Sequence, residues 1–142
     1  MLCNANVGSF IRHPISLKMV RFSGSSFVDD TNMIQTARDI SEGWQEVVQG
    51  LQNSLDIWQG GLHATGGVIV PAKTSWNLLD FKWKGGYWNY KTISDTPAEL
   101  LIKDISGQLD TLKRLEYNKA TLPLGIKIAP DGNMIQQFET LH

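Results

Sequence analysis

Apolar residues recur at helical spacing over one long segment of the chain, Ile40–Gln59. The spacings of 3, 1, 3, 4 and 3 put them on one face of a 3.6-residue period: Trp44, Val47, Val48, Leu51, Leu55 and Trp58. Asp39 with Glu42 three residues on predicts a capping box at the start, and Gly60-Gly61 predicts the end. The pattern predicts an amphipathic helix whose Trp and Leu stripe, Trp44 and Leu51 included, faces the core.

Shorter segments with strand character flank Asp29 and Asp30. Ser26-Phe27-Val28 leads into the acid pair and Thr31–Gln35 leads out. Strand, polar pair and strand predict a tight β-hairpin with the acids at its tip.

Further alternating segments predict more strands. An aromatic hairpin is expected from Ser75–Trp83 and Tyr87–Tyr90 around Gly85-Gly86. The remaining predicted elements are strands at 10–13, 15–22 and 122–129, a loop into a strand at 62–74, a hairpin at 100–105 and 109–115, a turn at 130–133 and a helix at Asn133–His142. The predicted class is α+β, with antiparallel β-hairpins packed on one long amphipathic helix.

Length and composition narrow the class further. The chain has 142 residues with 42% hydrophobic and 19% charged, as in one globular domain. The single cysteine, Cys3, excludes an internal disulfide, and no apolar run approaches membrane-spanning length. We therefore expect an intracellular protein, cytoplasmic or nuclear, with no membrane partner.

The formal net charge of the chain is −1, so the chain as a whole has no positive electrostatic field. Binding to nucleic acid would therefore rest on local patches. Arg12, Lys18 and Arg21 form one small basic cluster, which is either a solvated face or a phosphate contact.

The adjacent acids Asp29 and Asp30 have two interpretations. Asp is common in turns because its side chain can bond its own backbone. Two neighbouring carboxylates also repel each other unless a cation keeps them ionised, and Mg²⁺ prefers one or two carboxylates plus phosphate oxygens.

The sequence around these acids resembles that of a known protein family. Phe27-Val28-Asp29-Asp30 resembles the [Tyr/Phe]-x-Asp-Asp box, motif C, of reverse transcriptases, and the run to Thr36 looks like a retroelement form from which it departs at Asn32 and Met33. The segment 65–74 is similar to motif D, with Lys73, and 124–132 is similar to the Leu-Gly hairpin of motif E, with Leu124 and Gly125.

The resemblance implies a partial polymerase palm at residues 1–130 and the start of a thumb-like helix at 131–142. It implies RNA-directed DNA synthesis by a retrotransposon nucleotidyltransferase, with Mg²⁺ or Mn²⁺ held by the catalytic Asp29 and Asp30. Lys73 would donate a proton to the leaving pyrophosphate, and Leu124 and Gly125 would grip the primer. The implied partners are an RNA template, a DNA primer and deoxynucleotides.

Parts of the family pattern are missing from this sequence. No Asp or Glu precedes Asp29, so the third carboxylate, which the family places in motif A, is absent. Motif B and the fingers are not recognisable either. We expect a fragment that does not polymerise DNA alone.

Two other functions compete with this one. A non-enzymatic β-rich module could bind a ligand through an aromatic cluster, although such side chains more often fill a core: Trp76, Phe81, Trp83, Tyr87, Trp88 and Tyr90. A metal hydrolase would use Asp29 and Asp30 with His13 or His63, but the histidines show no ligand spacing.

Overall fold

The computed structural model describes the backbone of residues 9–12, 19–22, 24–27, 30–104, 106–121 and 127–140. Side chains are described for residues 31–104, 106–121 and 127–140. The elements in chain order are β1 (Ser9–Arg12), β2 (Met19–Phe22), β3 (Gly24–Phe27), β4 (Asp30–Met33), α1 (Trp44–Ala64), β5 (Ser75–Trp76), β6 (Phe81–Lys84), β7 (Tyr87–Tyr90), β8 (Leu101–Lys103), β9 (Leu109–Thr111), β10 (Lys113–Arg114) and α2 (Ile135–Phe138).

The strands of the described residues form small two-stranded sheets. β1 pairs with β2, β3 with β4, β6 with β7 and β8 with β9, all antiparallel, whereas β5 pairs with β10 in parallel. Small antiparallel hairpins and one long helix make this an α+β fold, as the sequence predicts. None of the helices in the described segments has the length and apolar character needed to cross a membrane.

The main helix starts four residues later than predicted, and the predicted capping box is wrong. Gly43 is the N-cap residue and gives no side-chain cap to α1. Asp39 accepts a hydrogen bond from the Ser41 amide and Glu42 accepts one from the Arg38 amide, each at 2.8 Å. Both acids therefore stabilise the turn before the helix, because their side chains bond local backbone there instead of the first helical amides.

The helix also continues past Gly60-Gly61, so the predicted stop is wrong. It ends at Ala64, with Thr65 as the C-cap residue, and the next residue, Gly66, has a left-handed φ of 81°. The Gly67 amide donates to the Leu62 carbonyl at 2.8 Å and the Gly66 amide donates to the His63 carbonyl at 3.2 Å. This Schellman arrangement satisfies the last carbonyls, and a glycine inside a helix costs only about 1 kcal/mol against alanine.

The core lies between α1 and side chains from β5, from β8 and the residue before it, and from the residue between β9 and β10. Its buried side chains are Val48, Leu55, Trp76, Leu100, Ile102 and Leu112. Trp44 and Leu51 are half-buried and pack against this cluster. The predicted helix face is confirmed, with its deepest contacts at Val48 and Leu55.

Two glutamines join α1 to the edge of β8. The Gln52 side chain accepts from the Leu101 amide at 2.9 Å and donates to the Leu101 carbonyl at 2.8 Å. Gln59 makes the same two bonds with the amide and carbonyl of Lys103. Each side-chain amide thus makes the two backbone hydrogen bonds that a neighbouring strand would otherwise make.

Two predicted elements differ in the second half of the chain. The segment 62–74, predicted as a loop into a strand, contains the end of α1 and a single 3₁₀ turn, Pro71–Lys73, and β5 follows at Ser75. The C-terminal helix is shorter than predicted: α2 spans Ile135–Phe138, and the Asn133 side chain accepts a hydrogen bond from the Ile135 amide at 2.9 Å. Most of the strand predicted at 122–129 lies outside the described residues. An antiparallel bridge joins Thr121, just before this segment, to Ile128, near its end.

Candidate functional site

One acid of the pair, Asp30, lies at one end of the β3–β4 hairpin. The antiparallel register runs from Gly24 opposite Met33 to Phe27 opposite Asp30. The predicted strands around the acids are therefore confirmed, and Asp30 is the first residue of β4. Asp29 lies outside the described residues, and its part in metal binding stays a prediction.

The outgoing strand of this hairpin is attached to the main helix. Met33 packs against the core cluster. Two residues on, the Gln35 side chain lies so close to α1 that a Cβ at Gly50 would be 3.0 Å from its Cδ. The glycine inside the helix therefore has a packing role, since it admits the segment that leaves β4.

The other residues implied by the family resemblance lie elsewhere. Lys73 is the last residue of the Pro71–Lys73 turn, and its side chain is exposed. It forms no ion pair with any described residue. Leu124 and Gly125 lie outside the described residues, so their part in holding a primer stays a prediction.

Clustered metal ligands are not found in the part of the chain that the structure describes. No group of three or more His, Cys, Asp or Glu side chains there could hold a metal ion. His63 is exposed in the last turn of α1 and lines an open depression with Lys103 and Asp104. Hydrogen bonds from Ser106 and the Gln108 amide lower the pKa of Asp104, so its carboxylate is occupied by its own loop. His13 lies outside the described residues.

The aromatic hairpin β6–β7 forms as predicted. Its register pairs Phe81 with Tyr90, Trp83 with Trp88 and Lys84 with Tyr87. Gly85 and Gly86 connect the strands with φ values of 67° and 85°. Two successive left-handed residues make the tight turn whose twist suits an antiparallel ribbon, and glycine adopts it without strain.

The expectation that these aromatic side chains fill the core is wrong for the hairpin. Trp83 is 60% exposed and Trp88 is 68% exposed, and their ring centroids lie 5.3 Å apart in an edge-to-face contact. Trp76, which precedes the hairpin, is buried. A two-stranded ribbon has two faces, and the core cluster covers neither of these tryptophans.

Charged and aromatic contacts hold the base of the hairpin. Lys82 Nζ lies 2.6 Å from Asp95 Oδ2, and Lys91 Nζ lies 2.6 Å from Asp80 Oδ2. The Lys82 ammonium and then the Thr92 amide hold the pKa of Asp95 well below its ordinary range. Tyr90 stacks on Tyr117 with centroids 4.6 Å apart. The exposed tryptophans are thus presented on a fixed support.

Similarity to other proteins does not assign either hairpin a role. No protein-family model, curated protein or solved structure matches the chain. The chemistry must therefore be argued from the residues themselves: a pair of adjacent carboxylates on one hairpin, and a face of exposed rings on another. The sequence shows all of these rings but does not show which are covered, because alternation in a ribbon marks two faces without saying which is buried.

Proposed function

We propose that the chain carries the carboxylate hairpin of a reverse-transcriptase palm, which serves in template-directed DNA synthesis. The observation that carries the proposal is the register of β3 and β4, which puts Phe27 opposite Asp30. The first and last residues of the Phe-x-Asp-Asp box thus lie on two paired strands rather than on a helix. The order of hairpin, long helix and exposed Lys73 supports the same proposal.

The carboxylates of the hairpin supply part of the ligand set of a hard divalent cation. Asp29 and Asp30 offer two adjacent carboxylates, and Mg²⁺ binds one or two such groups while keeping several waters. Asp29 and Asp30 would hold such ions, whose chemistry would be activation of a primer hydroxyl and neutralisation of charge on the transferred phosphate. The chain's own contribution is to hold the carboxylates on an anchored hairpin and to donate a proton from Lys73 Nζ to pyrophosphate.

This chain should not extend a primer by itself. Its sequence has no Asp or Glu before Asp29 to serve as the third carboxylate. Positioning contributes much of the rate of phosphoryl transfer, and an incomplete ligand set loses it. A primer-extension assay on an RNA template, with Mg²⁺ or Mn²⁺ and all four deoxynucleotides, should show no product.

The decisive version of this assay adds an upstream palm segment that supplies the third acid. We expect extension to appear and to be lost in Asp29→Asn. Glu99→Gln is the matched control, because Glu99 is an exposed carboxylate on a loop and its replacement should leave extension unchanged. Extension that survives in Asp29→Asn, or product from the present chain alone, would contradict the proposal.

A second candidate function is a non-enzymatic binding module that uses the aromatic hairpin. The observation that favours it is the exposure of Trp83 and Trp88 as one paired unit. Exposed paired tryptophans are uncommon unless they meet a ligand or partner, because large apolar side chains gain from leaving water. The two candidates involve different hairpins and are compatible.

A further inference from the structure

Half-buried and exposed residues alternate along the segment that begins with β4. Thr31, Met33 and Gln35 are half-buried, and the residues between them are exposed. Alternation with a period of two is typical of extended chain, so these three residues lie on one face of the segment. Met33 packs against the core cluster and Gln35 lies against α1. The segment that begins at Asp30 is thus attached to the rest of the fold at two points on one face.

The contact with α1 depends on the absence of a side chain at Gly50. A Cβ at this position would lie 3.0 Å from Cδ and Nε2 of Gln35 and 3.2 Å from its Cγ. Because Cγ is bonded to the Gln35 Cβ, rotation of the terminal amide alone would not relieve the crowding, and the whole side chain or its backbone would have to move. Gly60, in the same helix, has nothing within 4 Å of such a Cβ. The close approach is therefore specific to Gly50.

The position of this segment matters for a site that is built from two parts of a protein. Asp29 and Asp30 are neighbours in sequence, so a displacement of their hairpin leaves the spacing between the two acids unchanged. The same displacement changes their distance to a third carboxylate that another segment supplies. Because metal-assisted phosphoryl transfer depends on positioning, a misplacement of about 1 Å can cost about a hundredfold in rate.

We propose that Gly50 and Gln35 are positioning residues, which set where the Asp29–Asp30 hairpin lies relative to α1. Gln35 occupies the space that a side chain at position 50 would need, so the volume of these two side chains together determines how closely β4 approaches the helix. The catalytic consequence rests on the proposed function, whereas the contact itself is testable in the metal-free chain.

The test compares ¹H–¹⁵N NMR spectra of the full metal-free chain carrying Gly50→Ala or Gly60→Ala. Alanine raises the helix propensity to a similar extent at both positions, so Gly60→Ala is the matched control. We expect Gly50→Ala to shift the amide signals of Thr31–Met33, because the added methyl group displaces Gln35 and the strand before it. Gly60→Ala should leave these signals at their wild-type positions.

A second substitution tests whether the effect passes through Gln35. When Gln35→Ala is added to Gly50→Ala, the shortened side chain makes room for the new methyl group, and the Thr31–Met33 signals should return close to their wild-type positions. In the extension assay with the upstream palm segment, Gly50→Ala should lower the rate about tenfold or more, and the double substitution should restore it. Mn²⁺ binding to the chain alone should stay the same in both variants, because the spacing between the two acids does not change.

Several results would overturn the inference. They are Thr31–Met33 signals that do not shift in Gly50→Ala, equal shifts in Gly50→Ala and Gly60→Ala, shifts that persist when Gln35→Ala is added, an extension rate unchanged in Gly50→Ala, or weaker Mn²⁺ binding in that variant. If Gly50→Ala does not fold, folding of the double variant supports the contact, and failure of both rejects it. Absence of extension by the wild-type chain with the upstream segment would reject the polymerase role alone, because the metal-free spectra do not depend on that role.

Discussion

Individual glutamine side chains determine how the main helix meets the sheet. Gln59 is 7% exposed and its amide group bonds both the amide and the carbonyl of Lys103, 44 residues away. Gln52 does the same at Leu101, 49 residues away. Backbone groups on a strand edge that faces a helix require partners, and these side chains supply them.

Removing Gln59 should therefore destabilise the fold. In Gln59→Ala the Lys103 amide and carbonyl lose their partners while water has poor access, and this costs about 1–3 kcal/mol. Gln49→Ala is the matched control, because Gln49 is exposed and its one side-chain hydrogen bond among the described residues is to Asn53 in the same helix. Urea unfolding measures both changes, and equal stabilities of the two variants would show that the edge contact contributes nothing.

The elements differ in how far the sequence predicts them. The helical face was predictable, because Val48 and Leu55 obey the 3.6-residue period and are buried. The glycine turn of β6–β7 was predictable from local turn chemistry. The ends of the helix could not be predicted from the sequence. Gly60-Gly61 and Gly66-Gly67 offer equal stop signals, and the buried contact of Gln59 with β8 favours continuation of the helix beyond the first glycine pair.

The attachment of the aromatic hairpin should respond to acid. The pKa of Asp95 is lowered from an ordinary value of 3.8, chiefly by the hydrogen bond from Lys82. A carboxyl whose pKa falls on folding stabilises the fold above its unfolded pKa, and this stabilisation is lost as pH falls through the folded pKa. Asp95→Asn should lower the melting temperature at pH 7, and the difference from wild type should shrink as pH drops below 3.8.

Glu99→Gln again provides the control for this pH series, as an exposed carboxyl with no hydrogen bond in the described residues. Its melting curve should follow the wild type at each pH. A difference between Asp95→Asn and wild type that stays constant from neutral to acidic pH would show that the ion pair does not titrate with the fold.

At the scale of the whole molecule, the sequence did not predict which strands distant along the chain pair with each other. Ser75–Trp76 pairs in parallel with Lys113–Arg114, and Arg114 lies over the Trp76 ring at 4.8 Å. No local pattern marks partners 38 residues apart, because a two-residue strand carries too little periodicity. Asp30 was predictable as a hairpin residue from the strand patterns beside it, whereas the exposure of Trp83 and Trp88 depends on where the core is covered.

The central claim is that the Asp29–Asp30 hairpin binds the divalent cation, and paramagnetic broadening by Mn²⁺ tests it most directly. Mn²⁺ broadens NMR signals of nearby amides, so a ¹⁵N-labelled chain reports where the ion binds. We expect losses centred on Asp30 and Thr31, absent in a chain carrying both Asp29→Asn and Asp30→Asn and unchanged in Glu99→Gln. Broadening centred instead on His63 and Asp104, or persisting in the doubly substituted chain, would contradict the account.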